Sequence, residues 1–71
     1  MDKKSIENQI RELKGSLLSA NKHADKLKDL IPHHQDPAMH AMCNVIRTWL
    51  MMVEKQEKSL GDMVKAKFSA Q

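Results

Sequence analysis

Tyrosine is absent from this 71-residue chain, and phenylalanine and tryptophan occur once each. Valine and isoleucine are also few, so there is little material for a β-sheet. Two glycines and two prolines leave few points at which the chain can turn sharply. A single cysteine, Cys43, excludes an internal disulfide and fits a reducing compartment. No long apolar run exists: Trp49-Leu50-Met51-Met52-Val53 is far too short to span a membrane. The opening residues, Met1-Asp2-Lys3-Lys4-Ser5, lead into a polar amphipathic stretch rather than the apolar core of a signal peptide. Nor does one sign of charge dominate locally. The net charge of +3 comes from 12 basic and 9 acidic residues. Residues 1–31 carry seven basic and five acidic side chains, and residues 37–71 carry five and three. Mixed signs of this kind describe a helical surface in water better than a nucleic-acid patch.

What remains is helical periodicity. Ile6, Ile10, Leu13, Leu17, Ala20, Ala24, Leu27 and Ile31 alternate spacings of four and three, an unbroken heptad pattern. At about 100° per residue these side chains occupy an arc of only about 100°. Asp2 or Ser5 can cap the start of this helix, and Pro32 ends it by disfavouring α geometry at Ile31. A turn over 32–36 follows. Asp36 can cap a second helix, with Pro37 at its first position. Met39, Met42, Ile46, Trp49, Val53, Leu60 and Met63 continue heptad spacing there, interrupted by Gln56. Cys43, Leu50, Val64 and Phe68 widen the stripe on one side, and Ala38, Ala41, Val45 and Met52 on the other. The apolar arc then covers about 180°.

The spacing therefore predicts one all-α domain over 1–71, an antiparallel two-helix hairpin with helices at about 5–31 and 37–68. Its expected core is Ile10, Leu13, Leu17 and Leu27 against Met42, Ile46, Trp49, Val53 and Leu60. A narrow stripe cannot cover a wide one. Val45, Leu50, Met51, Met52, Met63, Val64 and Phe68 are therefore expected to meet a partner or a second copy, building a helical bundle. Methionine, with its flexible side chain, suits such adaptable surfaces.

Catalysis finds no support. The chain lacks a paired-carboxylate motif, a glycine-rich phosphate loop and a Ser-His-Asp arrangement. His40 lies three residues from Cys43 but on another face, so Cys43 reads as a small buried apolar residue and not as a nucleophile. His33, His34, Asp36 and His40 could in principle ligate zinc or nickel, yet their spacing matches no known site. A solvated turn is the plainer reading. No metal or cofactor is expected. Lys3, Lys4, Arg11, Lys14, Lys22, Lys26 and Lys28 could grip phosphates. However, Glu7, Glu12, Asp25 and Asp29 interrupt them, and no aromatic residue stands among them for base stacking.

Leu27-Lys28-Asp29-Leu30, the turn Gln35-Asp36-Pro37 and the apolar positions Met42, Ile46, Leu50 and Val53 form a pattern that resembles the small co-chaperones of type III secretion needle subunits. The likeness extends over most of the chain as a pattern, with Gln-Asp-Pro as its one short motif. It implies a cytoplasmic hairpin that packs on a helical-repeat chaperone and helps keep the needle subunit unpolymerised. Needle subunits are hairpins too, but many carry their tryptophan near the N-terminus, whereas Trp49 lies midway along the second helix. Two other readings stay open. One is a homodimeric four-helix bundle binding RNA or DNA, by analogy of architecture with plasmid copy-number regulators. The other is a phage or plasmid regulator that binds a host protein.

Overall fold

The computed structural model describes residues 1–69 and consists of two antiparallel helices, α1 (Lys3–Leu30) and α2 (Pro37–Ser69). Local chemistry sets their ends. The Asp2 side chain accepts a hydrogen bond from the Lys4 amide at 3.1 Å, and the Ser5 hydroxyl donates to the same carboxylate at 2.6 Å. This is an N-cap, and it starts α1 two residues earlier than the spacing alone predicts. The Ile31 amide closes the helix on the Leu27 carbonyl at 3.0 Å. In the turn, the amides of Gln35 and Asp36 both donate to the Pro32 carbonyl, at 3.1 and 3.2 Å. Asp36 then caps α2 by accepting from the Met39 amide at 3.0 Å.

The two helices lie side by side as a rod measuring 56 × 15 × 13 Å. Its radius of gyration is 16.4 Å, against about 11 Å for a compact domain of this length. Among the described residues only Leu17, Ala24 and Cys43 are buried hydrophobic residues, and no side chain is wholly enclosed. A two-helix contact is one strip wide, so every residue in it borders solvent on at least one side. No helix of the described residues is long and apolar enough to cross a membrane.

Candidate functional site: an open apolar face

The residues of α2 that meet α1 follow a heptad series: His40, Cys43, Arg47, Leu50, Glu54, Glu57, Gly61, Val64 and Phe68. Every residue of α2 that is not exposed belongs to it. The series is half polar, and its polar members tie the helices together. Arg47 pairs with Asp25 at 2.6 Å. Asn21 donates from its amide nitrogen to the Glu54 carboxylate. At the turn, His40 Nδ1 lies 2.7 Å from the Ile31 carbonyl oxygen. A carbonyl can only accept, so the proton sits on Nδ1.

This seam corrects the expected division of the helices. Met42, Ile46, Trp49, Val53 and Leu60, expected in the hairpin core, are exposed; Met42 is 60% and Trp49 69% accessible. Leu13 and Leu27 are likewise exposed, while Ile10 is half-buried and Leu17 is buried. Conversely Leu50, Val64 and Phe68, expected at a partner interface, are half-buried in the seam. The hairpin uses a stripe one residue away from the most apolar one, a rotation of α2 by about 100°. Two physical reasons act together. In this rotation cross-helix polar links form, from Arg47 to Asp25 and from Asn21 to Glu54. Small side chains at Ala24 and Cys43 also permit close approach, while long polar side chains pack their stems in the strip and keep their heads in water. Arg47 and Glu54, charged side chains, are therefore seam residues.

The displaced stripe forms the site. Met39, Met42, Ile46, Trp49, Val53, Gln56, Leu60 and Met63 alternate spacings of three and four and are all exposed. Val45 and Met52 flank them and are also exposed. Met42, Val45, Ile46, Trp49, Leu50 and Val53 line a shallow, almost wholly apolar hollow. A second hollow joins the helices, with Ile6, Ile10 and Leu13 of α1 lining it beside Leu60 of α2. The apolar edges of both helices thus share one side of the rod. Met51 lies on the other side, where it borders a hollow with Leu18, Lys14, Lys55 and Lys58, and it does not extend the open face.

Charge is excluded from this face. Between Ala38 and Val64, the arc of α2 through Met42, Val45, Trp49 and Val53 holds no charged residue. The adjoining arc of α1, through Gln9, Leu13, Ser16, Ala20, His23 and Leu27, holds no Lys, Arg, Asp or Glu. Loss of charge from a patch is a compositional mark of interface cores.

Comparison with protein-family models, with curated proteins and with solved structures finds no match to this chain. The geometry of the face is therefore the ground for reading function.

The turn holds little chemistry. The rings of His33 and His40 meet edge to face, with centroids 5.7 Å apart. No group of three or more His, Cys, Asp or Glu that could hold a metal occurs among the described residues. Cys43 is buried in the seam as a free thiol, and His40, expected on another face, belongs to the same seam. An uncovered apolar surface at Val45, Met52 and Met63 follows from the spacing, but the place of Met42, Ile46, Trp49, Val53 and Leu60 on it does not, because the true seam is half polar. Its heptad spacing was present in the sequence, but hydropathy hides it.

Proposed function

We propose that this protein is a non-enzymatic interaction module that acts by helix-to-helix association through its open face. The observation that carries the reading is the surface the hairpin leaves uncovered, apolar along α2 and reaching Ile6, Ile10 and Leu13 of α1. Contiguous apolar surface of this kind on a small chain marks a site of association. The narrower form of the proposal is a cytoplasmic type III secretion co-chaperone that packs on a partner chaperone and keeps the needle subunit unpolymerised. Its support is the resemblance carried by Leu27-Lys28-Asp29-Leu30 and Gln35-Asp36-Pro37, together with the position of Met42, Ile46 and Val53 on the open face. Leu50 departs from that pattern, since it packs inside the hairpin.

The charge pattern favours a protein partner over nucleic acid. Lys26 and Lys28 stand beside Asp25 and Asp29, and Arg11 beside Glu7 and Glu12, so local fields cancel. Co-purification from the native cell tests the proposal, comparing the wild type with Met42→Lys. A helical chaperone and a needle subunit should accompany the wild type and be lost from the variant. Identical partners on both proteins would refute the face. A nucleic-acid complex in the nanomolar range that survives physiological salt would refute the reading altogether.

A further inference from the structure

The rod exposes 5828 Å². A folded monomer of 8.1 kDa exposes about 4,500 Å². The excess, about 1,300 Å², is larger than the roughly 800 Å² that each partner contributes to a stable interface of standard size. The excess comes from the elongated shape of the rod, 56 × 15 × 13 Å, and is enough for an interface of standard size.

Heptad geometry narrows the choice. A helix at the corner of a square four-helix bundle touches two neighbours about 90° apart. Two heptad stripes displaced by one residue are about 100° apart. α2 carries both. The stripe from His40 to Phe68 faces α1, and the stripe from Met39 to Met63 faces outward. The same displacement occurs in α1. Ile10, Leu17, Ala20, Asn21, Ala24 and Lys28 are the less exposed positions, and beside them Gln9, Ser16, His23 and Leu27 form a second stripe that is largely polar but carries no Lys, Arg, Asp or Glu. Each helix is thus patterned for two neighbours, and the hairpin supplies one. The rim is ready for burial as well. The Thr48 hydroxyl donates to the Asn44 carbonyl at 3.0 Å and the Ser59 hydroxyl to the Lys55 carbonyl at 3.1 Å, so covering them strands no donor.

We infer that a second copy of this chain covers the open face, closing a four-helix bundle about a twofold axis. An isologous pair presents the same uncharged patch from both sides, so neither copy meets unpaired charge. This rests on reading the face as an association surface and names what covers it when no other protein does.

Sedimentation of the full chain, with Trp49 fluorescence as a reporter, tests the inference. The chain has one tryptophan and no tyrosine, so the signal belongs to Trp49 alone. The wild type at roughly 100 µM should have twice the chain mass, and dilution should shift Trp49 emission to the red as the dimer dissociates. Val53→Lys, on the open face, should give a monomer. Met51→Lys, on the opposite side, should remain a dimer. Loss of helix together with dimer in Val53→Lys alone also supports the inference, because the hairpin then depends on its second copy. A dimer that survives Val53→Lys overturns it. A monomeric wild type overturns it too, and binding of anilinonaphthalene sulfonate then separates two cases. Strong dye binding leaves the association surface standing, whereas none removes both readings.

Discussion

Replacing Leu17 by alanine isolates what the internal seam contributes. Leu17 is 8% exposed and is the largest of the three buried hydrophobic residues. The change deletes three carbons, each worth about 0.8 kcal/mol on burial. The space left behind opens onto the hollow lined by Leu18, Met51 and Glu54, so water can enter it and little is added for an empty cavity. The expected loss is about 2–3 kcal/mol, at the low end for such substitutions. Sequence alone assigns Ile46→Ala a similar loss. The structure separates the two, because Ile46 is 44% exposed and lies outside the seam. In the dissociated hairpin Ile46→Ala should cost only about 1 kcal/mol. Urea denaturation followed by far-ultraviolet circular dichroism measures both, at protein concentrations tenfold apart. A self-associating chain loses about 1.4 kcal/mol of apparent stability per tenfold dilution. Ile46→Ala should reduce that dependence, and Leu17→Ala should lower stability at every concentration. If Ile46→Ala is as damaging as Leu17→Ala in the most dilute samples, the assignment of the seam is wrong.

Three further outcomes are expected. Gly15→Ala and Gly61→Ala should each stabilise the helices by about 1 kcal/mol in thermal melts, since a methyl group at Gly15 meets nothing and one at Gly61 only touches the end of Glu57. A double-mutant cycle on Asp25 and Arg47 should give a coupling of about 0.2–1 kcal/mol that shrinks with salt, because both side chains remain partly exposed. The Ser5 hydroxyl and the Lys4 amide hold the Asp2 carboxyl below its ordinary 3.8. Its support for α1 is therefore complete above that value and lost as pH falls below it. The protection of the Lys4 amide, measured relative to its intrinsic exchange rate, should fall on acidification in the wild type and not in Asp2→Asn.

The hairpin was legible because its signals are local. Asp2, Asp36, Pro32 and Pro37 mark helix ends by their own chemistry, and the 3–4 spacing of Ile6 to Ile31 is visible without partners. The rotation of α2 was not legible. It depends on Arg47 reaching Asp25 and Asn21 reaching Glu54, contacts between residues 22 and 33 positions apart. Hydropathy counts Arg47, Glu54 and Glu57 as solvent-facing, so the stripe that contains them looks like surface.

Arg47 and Glu54 do more than join two helices. Leucine at both positions would turn the seam of α2 into a second stripe as oily as the one from Met39 to Met63. The helix would then have two nearly equivalent sides to offer α1, related by a quarter-turn. Added apolar contact would raise stability, while the directional links from Arg47 to Asp25 and from Glu54 to Asn21 would be gone. Charge in the seam thus works as a compass: it tells a helix with two sticky sides which one to spend at home and which one to keep for company.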